Sequence, residues 1–242
     1  MCLELGSRDV TFFFYTTYSF YYYIYMKIDI LVPESLNEIT LSQYQKFVKL
    51  NTKENEGSSF LMQKMIEIFC NLDLKDIAKV KYSSVQVITE KLNTVFNSKT
   101  NLIDKFTLGN KKFGFIPNLD DMTLGEYIDL DTYFGDWDNM HKAMSVLYRP
   151  ITKEKGELYD VEEYDGTKYS DVLKSMPLDV VLGSIVFFYH LSSELLTITL
   201  SYLTEEMENN LTTQQRETLE LSGVGINRSM ELVKEILPNL MK

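Results

Sequence analysis

Residues 180–203 form the longest apolar run in the chain, and they leave few options for the fold. A run of that length is either a helix at the centre of a globular core or a membrane span, which needs roughly 20 apolar residues. His190 and Glu194 fall near its middle, where an ionised side chain costs roughly 2.5–3.5 kcal/mol on insertion scales. Ser184, Ser192, Ser193, Thr197, Thr199 and Ser201 dilute it further, and no cluster of Lys or Arg flanks it to fix an orientation. The pattern therefore predicts a long central apolar helix over 178–208, opened by Met176-Pro177-Leu178-Asp179 and continued by Met207. Around it the expected fold is mostly α with a minor β element, an α+β chain with a helical core.

A second unusual run lies near the other end. From Phe12 to Tyr25, ten of fourteen residues are Phe or Tyr, which fits neither an alternating strand nor a helix with a polar face. No basic leader, aliphatic stretch or small-residue cleavage site accompanies it, so a signal peptide fits poorly. At that length it is also too short to cross a bilayer. Met26-Lys27-Ile28-Asp29-Ile30-Leu31-Val32-Pro33 reads as the opening of a soluble domain. Residues 1–25 are accordingly expected to be a disordered, non-native upstream extension, with an aromatic interfacial anchor as the alternative.

Residues 26–97 read as a strand followed by a small helical cluster. The strand is 27–32, ended by Pro33. Ser35 with Glu38, and Thr40 with Gln43, match the capping-box pattern. Helices are expected over 41–50, 60–71, 74–80 and 85–97, the last capped by Ser83-Ser84. Leu41, Phe47, Leu61, Met65, Phe69, Ile88 and Leu92 recur at helical spacing and should form the core. Residues 98–112 are expected to be a linker with a turn at Gly109-Asn110. The main body, 113–242, should be mixed and then helical. It has strands at 113–116 and 147–164, a helical turn at 122–130, a helix at 132–147, and further helices at 212–221 and 226–240.

The chain carries a net charge of −11. Lys and Arg occur singly rather than in a basic stripe, which argues against nucleic acid or an anionic membrane surface as a partner. A basic protein partner suits an acidic surface better. An EF-hand loop starting at Asp129 would need Gly and Glu where Phe134 and Met140 stand, so the calcium motif fails. His141 and His190 lack paired-ligand spacing with each other or with Cys70. Cys70 lies in an apolar stretch and reads as a small buried hydrophobe in a reducing compartment. Gly223-Val224-Gly225 lacks the third glycine of a dinucleotide fingerprint, and no Gly-x-Ser-x-Gly or Walker loop is present. No catalytic residue, metal ligand or cofactor is expected, and the reading is non-enzymatic.

Several phrases occur in a suggestive order. Lys27-Ile28-Asp29-Ile30-Leu31-Val32-Pro33 leads to Ile39-Thr40-Leu41-Ser42-Gln43-Tyr44. Phe113-Gly114-Phe115-Ile116-Pro117-Asn118-Leu119-Asp120 leads to Leu124-Gly125-Glu126-Tyr127-Ile128. Then come Trp137, Met140-His141-Lys142-Ala143-Met144, Leu147-Tyr148-Arg149-Pro150, Met176-Pro177, Gly183 and Phe187-Phe188. Together they resemble tail assembly chaperones and related virion-morphogenesis proteins of tailed bacteriophages. The resemblance implies an assembly factor in the host bacterial cytoplasm whose partner is a phage tail protein, such as a tape measure or tube subunit. A permanent virion component (baseplate or connector) and a membrane-associated protein are the alternatives. Tyr127, Tyr133, Phe134, Trp137 and Tyr148 cluster with acidic residues between them, and Arg149 is adjacent. These six are the candidate protein interface, because aromatic and Arg side chains anchor interfaces; packing of the same aromatics into the core is the alternative.

Overall fold

The computed structural model describes residues 9–15 and 25–209. The fold is mixed α+β: the described residues hold eight α-helices and a four-stranded antiparallel sheet, with one long apolar helix near the end. The chain divides into two compact units. One comprises Met1–Ser98 with Lys174–Leu178, and the other Lys99–Leu173 with Asp179–Lys242.

In the first unit, Asp9–Tyr15 (β1) pairs antiparallel with Tyr25–Leu31 (β2), Phe14 facing Met26 in the register. The expectation of a disordered segment over 1–25 is therefore corrected at β1, where the β propensity of Phe, Tyr, Val and Thr finds a partner strand. A 3-10 turn follows at Leu36–Glu38, and the capping box expected there does not form. The Ser35 hydroxyl instead donates to Asn37 Oδ1 at 2.7 Å. The second box is present in full. Thr40 Oγ1 accepts the Gln43 amide at 3.3 Å and Gln43 Oε1 accepts the Thr40 amide at 2.9 Å, opening Leu41–Val48 (α1). Ser59–Phe69 (α2), Leu74–Ile77 (α3) and Tyr82–Phe96 (α4) complete the cluster. Helix α4 begins from Lys81 rather than from Ser83-Ser84. Phe47, Phe69 and Phe96 pack as a triad of rings, with Tyr44 against Phe47 and Phe96. The Gln43 side-chain Nε2 donates to Ile68 O at 2.7 Å and ties α1 to α2.

A short returning segment closes this unit. The amides of Leu41 and Ser42 donate to Met176 O and Lys174 O, and the Leu178 amide donates to Ile39 O. Thr40 and Pro177 form an isolated antiparallel bridge. The hydrophobic pattern of the sequence carried no sign of this return.

Burial also sets the chemistry of the one free cysteine among the described residues. It pushes the Cys70 thiol up to about 12, where thiolate is scarce at neutral pH. Iodoacetamide at pH 8 should therefore leave Cys70 unmodified in the native protein and modify it in urea, as read by peptide mapping. Native labelling at Cys70 would contradict the packing described here. Two phenols, Tyr44 and Tyr159, are likewise pushed up to about 12 by desolvation. A phenol that holds its proton more tightly when folded stabilises the fold below its unfolded value near 10. That contribution is lost as pH rises from about 10 to about 12. The urea midpoint should fall across that window.

In the second unit, Lys105–Leu108 (β3) and Lys111–Phe115 (β4) form a hairpin about Gly109-Asn110. Gly109 has φ +58°, the left-handed conformation that a two-residue hairpin asks of its first central residue. The expected linker over 98–112 thus contains a strand. Tyr148–Lys155 (β5) pairs with β4, and Leu158–Val161 (β6) pairs with β5, giving the antiparallel order β3-β4-β5-β6. Leu124–Tyr133 (α5) and Met140–Leu147 (α6) lead into β5, and Ser170–Leu173 (α7) follows β6. The helix expected from residue 132 starts at Met140, because Gly135, at φ +91°, interrupts it.

Leu178–Asn209 is the long helix α8. Val180, Val181, Leu182, Ser184 and Ile185 are buried along its first turns. The Tyr148 hydroxyl meets Ser184 Oγ at 2.9 Å and donates to Ile103 O at 2.9 Å. Phe187 and Phe188 continue the core against Phe115 and Phe134. The helices expected at 212–221 and 226–240 lie outside the described residues.

Candidate interaction surface

Helix α5 turns one carboxylate inward and three large apolar side chains outward. Thr123 caps it through a complete box: Thr123 Oγ1 accepts the Glu126 amide at 3.3 Å, and Glu126 Oε2 accepts the Thr123 amide at 2.6 Å. The same carboxylate turns inward, where Glu126 is only 4% exposed. Its Oε1 lies 2.9 Å from Nη1 of Arg149, itself buried on β5. One turn on, Asp129 Oδ2 accepts a hydrogen bond from the Tyr164 hydroxyl. Desolvation, together with that partner, pushes the Tyr164 phenol well above its ordinary value. Leu130 and Tyr133 are half-buried on the same side as Glu126, while three other apolar residues of α5 lie on the opposite side. Leu124 is 74% exposed, Tyr127 60% and Ile128 51%. Their i, i+3, i+4 spacing places them on one stripe of the helix.

The six candidate interface residues are not brought together. Tyr127 lies on the exposed stripe. Tyr133 is half-buried, with Lys142 Nζ 4.9 Å from its ring centroid. Phe134 packs edge-on against Phe188, and Trp137 is half-buried. Tyr148 and Arg149 must be corrected. Tyr148 is fully enclosed, its ring between Phe106 and Phe115 and its hydroxyl bonded inside. Arg149 is committed to Glu126. Both are interior residues because β5 is a central strand, paired on both sides.

Leu124 and Ile128 were missed, along with the role of Glu126. The sequence signals were present, since Thr123-x-x-Glu126 is a capping box and Leu124, Tyr127 and Ile128 share a helical face. Periodicity alone assigns that face to the core.

Other places offer less chemistry. Among the described residues, no group of three or more His, Cys, Asp or Glu is arranged to hold a metal ion. A shallow cleft of about 110 Å³ in the first unit is lined by Ser59, Met62, Gln63, Ile77, Ala78, Val80, Tyr82 and Val85. It is well below the roughly 300 Å³ of a small-molecule site, and no carboxylate, His, Lys or Cys lines it. Comparison of the chain with protein-family models, with curated proteins and with solved structures returned no match.

Proposed function

We propose that this protein is a non-catalytic assembly factor of tailed bacteriophages, a tail assembly chaperone that acts through protein contacts in the host cytoplasm. The observation that carries this reading is the set of large apolar side chains held at the surface of an acidic protein. Phe60, Leu74, Tyr82 and Val87 are exposed in the first unit, and Leu124, Tyr127 and Ile128 in the second, on a chain of net charge −11. A chaperone for a long apolar tail protein needs such contact points on a body kept soluble by its charge. The resemblance in the ordered phrases supports the same role, with a tape measure or tube subunit as the partner.

A membrane-associated protein is the second reading, favoured by the apolar window Leu178–Leu195, of which 39% is buried. The burial of Val180, Val181, Leu182 and Ser184 favours its use as a core helix instead.

Quantitative proteomics of purified virions beside infected-cell lysate, with a tagged pull-down, tests the proposal. The expected result is presence in lysate, absence from virions, and co-purification with a tail protein. Stoichiometric presence in virions would make the protein a permanent part such as a baseplate or connector component. Recovery only with membranes would favour the second reading.

A further inference from the structure

The apolar stripe of α5 is left uncovered by the fold. Turning the helix over would bury Leu124, Tyr127 and Ile128 and return Glu126 to water, but it would also expose the half-buried Leu130 and Tyr133. Burying apolar surface is favourable, whereas a buried ion pair rarely outdoes a well-packed apolar substitute. The sequence nonetheless spends an internal arginine and a tyrosine on holding the polar side of α5 inward. The result is a helix anchored through Glu126 and Asp129 that displays an apolar stripe.

The surroundings of the stripe indicate what it would accept. From Phe113 to Met140 the chain has seven acidic residues and no Lys or Arg. Asp120 and Asp121 precede the helix, Asp131 lies on it, and Asp136 and Asp138 follow it; all five are exposed. Two of the seven, Glu126 and Asp129, are taken up by Arg149 and Tyr164. The exposed five flank the apolar stripe in sequence with negative charge.

We infer that the Leu124–Tyr127–Ile128 face of α5 is a docking surface for a basic amphipathic helix of another protein, with apolar residues along one side and Lys or Arg along its flanks. Apolar contact would supply the centre of the interface, and the carboxylates would select the partner's charge and speed its approach. This inference rests on the contact-based function proposed above and adds the surface and the partner's chemistry; the phage setting does not enter it.

The test uses the full chain and a fluorescent synthetic helix of about 18 residues, roughly five turns, with Leu on one face and Lys elsewhere. A Leu and Glu peptide of the same pattern is the control. Anisotropy titration should show binding of the basic peptide that weakens as salt rises, and at least about tenfold weaker binding of the acidic one. Leu124→Ser/Tyr127→Ser/Ile128→Ser should reduce affinity about tenfold or more with an unchanged circular dichroism spectrum. Should that variant unfold, Asp120→Lys/Asp131→Lys, which alters only exposed carboxylates, should give the same loss. Failure of the basic peptide to bind, equal binding of both peptides, or binding unaffected by a folded variant would overturn the inference. A concentration-dependent dimer in light scattering that the triple variant abolishes would also overturn it, since a second copy would then occupy the face. The two proposals fail separately. Peptide binding without recovery of a tail protein from lysate leaves the surface standing and removes the phage role. Equal recovery of a tail protein by wild type and triple variant does the reverse.

Discussion

Glu126→Ala should destabilise the protein by about 3–5 kcal/mol, the usual cost of removing one partner from a buried ion pair. The Arg149 guanidinium would remain 9% exposed with its carboxylate gone. Its Nε already lacks a hydrogen-bond partner, so it has no second anchor there to fall back on. The same change removes half of the α5 capping box, because Glu126 Oε2 accepts the Thr123 amide. For a chain of this size the loss corresponds to a fall in Tm of roughly 10 °C. Arg149→Met alone should cost somewhat less, since Glu126 would keep the Thr123 amide. The double variant Glu126→Ala/Arg149→Met should recover much of the loss, because no charge is then left buried alone. Urea denaturation of all four proteins gives the coupling energy. A loss of under about 1 kcal/mol for Glu126→Ala would match a solvent-screened surface pair and contradict the interior position of both groups.

Gly183→Ala is the second large effect, and its sign runs against helix propensity. Within a helix, alanine is favoured over glycine by about 1 kcal/mol. At position 183, however, a Cβ would lie 2.2 Å from the carbonyl oxygen of Asn101 and 2.9 Å from its carbon. Both atoms are backbone, so α8 or the chain at Asn101 must move, and overpacking of this kind costs about 1–3 kcal/mol or more. A net destabilisation of about 2 kcal/mol is expected. Gly125→Ala is the matched control. It lies near the start of α5, and nothing stands within 4 Å of the added Cβ. That change should be neutral or stabilising by up to about 1 kcal/mol. If both glycines responded alike, the close approach at Asn101 would not be real.

What the sequence revealed depended on the range of the interactions involved. Thr40 with Gln43 and the apolar spacing of Val85, Ile88 and Leu92 were readable because a helix start and a helix face are local patterns. Residues 180–203 were readable as a helix because an apolar run of that length leaves few alternatives, and Val180 to Ile185 at its start are buried. Strand β3 was not, since Lys105-Phe106-Thr107-Leu108 is short and gains its identity only by pairing with β4. The candidate interface was partly legible. Tyr127 is exposed, but Tyr148 and Arg149 looked like its neighbours because they carry interface-prone side chains. A side chain's type does not reveal which side of its element faces inward. On α5 that question was decided by Arg149, more than twenty residues away, and no period within the helix records it.

The returning segment Lys174–Leu178 has a consequence for biosynthesis. Residues 39–42 donate to and accept from backbone that has not yet been made when they leave the ribosome. At translation rates of 5–20 residues per second the delay is on the order of ten seconds. During that interval the amides of Leu41 and Ser42 must bond to water or to a temporary neighbour, and Thr40 has no Pro177 to bridge. The N-terminal unit thus cannot finish ahead of the rest, as the first part of a two-part chain ordinarily would. Its completion requires that translation has passed residue 178.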